Sequence, residues 1–164
     1  MTEVAIRSLT INDAPACDAI IASLTYFFGD PDGVRDCAAA VRSRLGYVAM
    51  VDAEVAAFLT IEHHDPLSAE ITWMATRADH RRHGLGRQLI ERAAADLASE
   101  GVRMLCVLTL GPSVPEDAAD SYAGTRAFYQ SCGFVPLREL ELRSYPEPPA
   151  ESAERSVFRR YPAR

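Results

Sequence analysis

Gly84 and Gly86 stand one residue apart, directly after the basic run His80-Arg81-Arg82-His83 and directly before a long apolar stripe. No other feature narrows the possible folds so far. Leu85, Leu89, Ile90, Ala93, Ala94 and Leu97 recur at helical spacing, and Gly101 sits where a C-cap glycine belongs. Ahead of the basic run, Ala69–Thr76 (AEITWMAT) reads as a strand. Beyond Gly101, VRMLCVLTL is mostly apolar, as a strand buried on both faces would be. A strand, a tight basic turn and a helix in this order make an anion site. The first N–H groups of a helix have no partners inside it, and the helix dipole adds positive potential at that end. Without a Cβ, Gly84 and Gly86 are expected to let a ligand approach the backbone closely. Arg81, Arg82 and Arg87 add charge and donors, so the expected ligand is a phosphate or pyrophosphate.

Two familiar phosphate loops fit poorly. A Walker loop needs a Lys followed by Ser or Thr after its second glycine, and both are missing. A dinucleotide fingerprint needs a third glycine, where this chain has Leu89.

Elsewhere the chain alternates between strand and helix signals. Residues 3–8 read as a strand. A helix follows from a cap-like Asn12 or Asp13 to Phe27, YFFGDPDG breaks it, and a second helix covers 34–44. Two β-rich runs flank Asp52-Ala53-Glu54 as a hairpin. After the loop GPSVPED, residues 118–132 read as a helix ended by Gly133, and FVPLRELEL as a strand. The order is β-α-α-β-β-β-α-β-α-β, a mixed α/β sheet. The last residues, 143–164, are rich in Pro, Glu and Arg, and much of this tail is expected to be irregular. One domain over 1–142 followed by that tail is the expected organisation.

Bulk properties remove several classes. A chain of 164 residues suits one domain. A net charge of −6 argues against a general nucleic-acid binder, although Arg77, Arg81, Arg82 and Arg87 form a local basic patch. The N-terminus lacks the pattern of a signal peptide, and no run approaches a membrane span, so a cytoplasmic protein is expected, with neither nucleic acid nor membrane as partner. Cys17, Cys37, Cys106 and Cys132 are widely spaced and form no C-x-x-C pair. They read as small core side chains, and no metal site is expected.

Arg81 to Gly86 spells R-x-x-G-x-G, and TRAFYQSCGF lies some forty residues further on. Together these resemble the acyl-CoA pyrophosphate signature and late helix of the GNAT superfamily of N-acetyltransferases. The resemblance runs from about residue 3 to about 140 and is nearest to bacterial members with a TLGPS loop before that helix. It implies a mixed, mostly antiparallel central sheet flanked by helices, and acetyl-CoA as acyl-donor substrate. It implies further that Met74, Ala75 and Thr76 hold the pantetheine arm and acetyl carbonyl through backbone groups. The cofactor-binding set is then these three with Arg81, Arg82, His83, Gly84, Leu85, Gly86, Arg87 and Thr125.

The implied reaction is direct attack of a primary amine, of a small molecule or a protein, on the thioester in a ternary complex. Tyr129 matches the family's proton donor to the leaving thiolate. Tyr122 stands where many relatives carry Asn, which puts that contact to CoA in doubt. Glu70 matches a general-base position, and Glu62, His63 and His64 remain alternatives. The acceptor side maps to Tyr26, Phe27 and Asp30, an apolar and acidic surface suited to a cationic amine. ERSVFRRYP is a poor version of the family's last strand. Either a short strand forms near 156–159, or the sheet edge is left to a partner chain as a homodimer. A catalytically silent acyl-CoA-binding regulatory module is the competing reading.

Overall fold

A computed structural model describes residues 3–24, 31–113, 122–141 and 154–160. Seven strands form one sheet: β1 (Val4–Ser8), β2 (Leu45–Val51), β3 (Glu54–Asp65), β4 (Ser68–Thr76), β5 (Met104–Leu110), β6 (Val135–Glu141) and β7 (Glu154–Arg160). Their order is β1-β2-β3-β4-β5-β7-β6. Only β4 and β5 are parallel; every other neighbouring pair is antiparallel. The mixed, mostly antiparallel sheet flanked by helices is therefore present.

Among the described residues four α-helices cover it: α1 (Ala14–Ser23), α2 (Pro31–Ser43), α3 (Leu85–Ser99) and α4 (Tyr122–Ser131). One core cluster joins α1 and α2 to Val48, Phe58 and Ala75. The other joins the α3 stripe and Tyr129, Cys132 and Phe134 to Leu59, Ile61, Ile71, Leu105 and Val107. The sheet is thus sandwiched, with α1 and α2 on one face and α3 and α4 on the other. Alternation along β3 sends Phe58 to one cluster and Leu59 to the other, as a two-faced strand must.

Two helix boundaries differ from the periodicity. The first helix stops at Ser23, short of Phe27; Leu24 has left helical angles, at φ −110 and ψ 48. Ser23 Oγ bonds back to the Ile20 carbonyl at 2.7 Å, a local bond that competes with continuing the helix. The second helix already includes Pro31, inside the expected breaker segment, and proline is tolerated in the first turn of a helix. Asp52 and Ala53 both adopt positive φ, 48 and 68, in a two-residue hairpin turn whose twist matches the strands it joins. Arg7 and Asp13 fasten β1 to the start of α1 through bonds of 2.8 and 2.7 Å, and the guanidinium lowers the Asp13 carboxyl to about 2.

The tail carries the strand that the sequence only hinted at. β7 inserts between β5 and β6, pairing Val107 with Phe158 and Pro136 with Phe158 on its two sides. The edge that suggested a partner chain is filled by this chain itself. β6 becomes the sheet's edge, a position where a strand tolerates a proline such as Pro136, and the ladder shifts register beside it. Among the described residues no helix is long and apolar enough to cross a membrane.

Candidate active site

The parallel pair β4–β5 is short. It runs from Ser68 opposite Met104 to Ile71 opposite Val107 and then stops. One residue later β4 carries a bulge: Ile61 pairs with Ile71 but Thr60 pairs with Trp73, so Thr72 is the extra residue. A bulge bends its strand and raises its twist. β4 continues along β3 to Thr76 while β5 turns along β7, and the two strands separate. The Thr72 hydroxyl lies 2.8 Å from that of Thr60, which fixes the bulge side chain.

A cleft of about 780 Å³ occupies the opening. Its lining comes from both faces of the sheet. Leu24, Trp73 and Ala75 belong with the α1/α2 face, and Met74, Leu85, Phe128 and Tyr129 with the α3/α4 face. The cleft therefore passes through the sheet. Among the described residues no strand pairs with β4 beyond Ile71 on the β5 side, and the edge from Met74 to Thr76 faces the cleft as an extended ligand would require.

The glycine turn forms one mouth of this cleft. Gly84 is the N-cap of α3 at φ 80, and no side chain caps the helix. Arg82 also has positive φ, 64. A turn of this type aims successive N–H groups into one concavity, adding to the unpartnered first turn of α3. The second glycine has a further reason. A Cβ on Gly86 would lie 3.0 Å from Phe128 Cζ and 3.7 Å from Met74 Cε. Gly86 thus lets α3 pack closely on Phe128 of α4, a reason that stands beside its expected role, and it also lines the cleft.

Of the sequence-derived positions, Glu70, Met74, Ala75, Thr76, Arg81, Arg82, Gly84, Leu85, Gly86, Arg87, Thr125 and Tyr129 all line the cleft. His83 does not; it is exposed and sets its ring edge-on to His80. Arg87 is partly diverted, binding the Ser131 carbonyl at 3.0 Å and its hydroxyl at 3.1 Å, which ties α3 to the end of α4. Arg77 is held by Glu54 and Asp79 and contributes little to a basic patch. Tyr26, Phe27 and Asp30 lie outside the described residues.

Tyr129 is 6% exposed and packs between Phe128 and Phe134, with ring centroids 5.3 and 5.5 Å away. Burial raises its phenol well above the ordinary value, so it holds its proton at neutral pH. Among the four candidate bases, Glu70 alone lines the cleft; its side chain is 15% exposed and bonds His64 Nε2 at 2.7 Å. Glu62 is paired with Arg44 at 3.0 Å, and His63 lies 3.8 Å from Glu100.

One functional candidate escaped the sequence. Thr109 is 6% exposed, lines the cleft, and its hydroxyl has no hydrogen-bond partner. A buried orphan hydroxyl costs about 1–3 kcal/mol, which a bound polar ligand can return. Nothing in VRMLCVLTL marks Thr109, because only the strand separation exposes it to the cleft. With the open β4 edge and the uncapped α3 terminus, it makes the site fit a long polar ligand ending in an anion.

Comparison with known proteins places this geometry. The sequence model described as "Acetyltransferase (GNAT) domain" matches residues 42–136. Curated protein sequences give no match. Among solved structures, a Desulfovibrio desulfuricans protein assigned to the GNAT family aligns over 98% of this chain and all of its own. Its TM-score is 0.79 and its identity 21%. The ribosomal-protein-S18-alanine N-acetyltransferase of Escherichia coli aligns at TM-score 0.75 and 21% identity, covering 99% of this chain and 96% of its own. A GNAT acetyltransferase from Elizabethkingia anophelis, solved with acetyl-CoA bound, aligns at 0.68 and 17%, covering 96% and 97%. The structural likenesses carry the fold, and the match over residues 42–136 carries the family. A strand pair that parts beside a glycine-capped helix is the framework of that match, and the chain belongs to the GNAT family of acetyltransferases, which use acetyl-CoA.

Proposed function

We propose that this chain is an N-acetyltransferase that brings acetyl-CoA and a primary amine together in the opening between β4 and β5. The observation that carries the reading is the passage of the cleft through the sheet. Two substrates can enter from opposite faces and meet without displacing each other, and holding both in attack geometry supplies much of the rate.

On the α3/α4 face, the N-terminal amides of α3 with Arg81 and Arg82 take the pyrophosphate. The open edge from Met74 to Thr76 binds the pantetheine arm as another strand would, and a β4 N–H donates to the thioester oxygen as negative charge develops there. Thr125 on α4 and the Thr109 hydroxyl add polar contacts. On the α1/α2 face, Glu70 accepts the proton that the amine must lose, and His64 orients the carboxylate. As the carbon–nitrogen bond forms and the carbon–sulfur bond breaks, Tyr129 donates its proton to the departing sulfur. Leu24 lines the cleft, and by residue type Tyr26, Phe27 and Asp30, which follow it in sequence, are assigned to the acceptor. Their apolar surface and negative charge suit a cationic amine of a small molecule or a protein.

Calorimetric titration with acetyl-CoA and CoA, with ATP and NAD as comparison ligands, tests the donor. Tight binding of the first two alone is the expected result, and no binding would refute the assignment. Thiol release is then measured across a panel of amines. Binding without thiol release from any of them would favour the silent acyl-CoA-binding module.

A further inference from the structure

Three metal-ligating side chains converge beside the cleft on neighbouring strands. Glu70 stands directly opposite Cys106 in the parallel β4–β5 pair, so their side chains are lateral neighbours. Ala69 and Ile71 belong to the α3 cluster, so Glu70 projects to the other face. From β3, His64 reaches the same place, its Nε2 2.7 Å from Glu70 Oε2. The ligand atoms of His64, Glu70 and Cys106 all lie within 4.8 Å of one another.

We propose that His64, Glu70 and Cys106 form a zinc-type site whose occupation shuts off acetyl transfer. One imidazole nitrogen, one carboxylate oxygen and one thiolate sulfur make a borderline-soft donor set, which selects zinc over magnesium or calcium. Bond lengths of about 2.0–2.3 Å to a tetrahedral ion put its ligand atoms roughly 3.5 Å apart, which side-chain rotation can reach from the observed spacing. Three adjacent strands supply a rigid base for the ligands. The His64 side chain is 46% exposed, which leaves an entry path and a fourth position for water. Cys106 Sγ lies 3.5 Å from the Ala69 carbonyl and does not line the cleft, so the thiol is separable from the acetyl-transfer machinery.

Binding releases the Cys106 thiol proton to solvent. The ring proton between His64 Nε2 and Glu70 moves to Nδ1, and both freed lone pairs go to the metal. A Glu70 oxygen so engaged no longer accepts a proton from the amine. The inhibitory half of this proposal rests on the reading of Glu70 as the base. Cysteine spacing could not reveal the site, because it uses one cysteine with a histidine and a glutamate from other strands.

The test uses the full chain and the metal alone. Cobalt(II) titration should saturate at one equivalent, with a sulfur-to-cobalt charge-transfer band that zinc abolishes. In Cys106→Ser the band should vanish and zinc affinity should fall by about tenfold or more. An absent band, or one that survives Cys106→Ser, overturns the site. One equivalent of zinc should lower wild-type turnover by about tenfold or more and spare Cys106→Ser, whose metal-free turnover should match wild type. Inhibition that persists in Cys106→Ser, or a loaded site without inhibition, overturns the switch. Metal-free Glu70→Gln separates the two readings. If it is inactive while wild type binds no metal, the zinc site alone fails. If it is active while wild type binds metal, the base assignment alone fails.

Discussion

Ser68–Ile71 and Thr72–Thr76 are halves of one strand, yet only the first half has a strand on both edges. The first half places Ala69 and Ile71 in the core under α3, both essentially without exposure. The second half keeps β3 on one side and faces the cleft on the other. Trp73, Met74 and Thr76 there are only half-buried. Residue type does not separate them, since each half mixes polar and apolar side chains. One extra residue, Thr72, does. The lesson is that a single bulge divides a strand into a part paired on both edges and a part whose edge faces a ligand cleft, which Glu70 and Ile71 of the paired part also reach.

Substitutions in the two parts should therefore separate stability from binding. The largest effect is expected at Ile71→Ala, a cavity in the paired half. It should cost about 3 kcal/mol in denaturant unfolding and, because Ile71 also borders the cleft, lower the acetyl-CoA affinity of the folded fraction by less than about tenfold. A larger loss of affinity would show that the halves are coupled.

Gly84→Glu should reverse that pattern. The left-handed backbone costs a non-glycine residue about 1–2 kcal/mol, which a melting curve reads. Acetyl-CoA affinity should fall further, by about 100-fold or more, because bulk and negative charge enter the anion cradle. Wild-type affinity would remove the loop from the site.

Tyr129→Phe should lower kcat about tenfold or more with KM kept. Burial raises the Tyr129 phenol, so the protonated donor persists as pH rises. The wild-type rate should then show no alkaline fall from this group near about pH 10, where an ordinary phenol ionises. A Tyr129-dependent fall at that pH would contradict the buried environment.

The smallest expected effect has opposite signs in its two readouts. Thr109→Val removes a buried orphan hydroxyl and should stabilise the free protein by about 1 kcal/mol. It should also weaken acetyl-CoA binding about threefold to tenfold, the loss of one hydrogen bond. Stabilisation without weaker binding would make Thr109 an internal defect rather than a ligand contact.

Much of the site could be read from local patterns. The α3 stripe, its glycine start and its Gly101 stop follow from helical period and capping, and every stripe residue is buried. Glu70 and Tyr129, which only the family resemblance singled out, meet the R-x-x-G-x-G loop in one cleft, although they are 59 positions apart. Local pattern did not show that Gly86 also packs α3 against α4, or that Arg87 also tethers α3 to the end of α4, because those partners come from a distant helix.

The sequence by itself determined the elements and the chemistry available at the helix start, because period, capping and glycine act over a few neighbouring residues. Tertiary structure decided the rest. The bulge that opens β4 exists only in register with β3, and β7 takes its place only because β5 and β6 leave room between them. His64, Glu70 and Cys106 meet only when three strands align. Register is a relation between distant segments, set by how two faces of a sheet are buried at once, and no local window contains it.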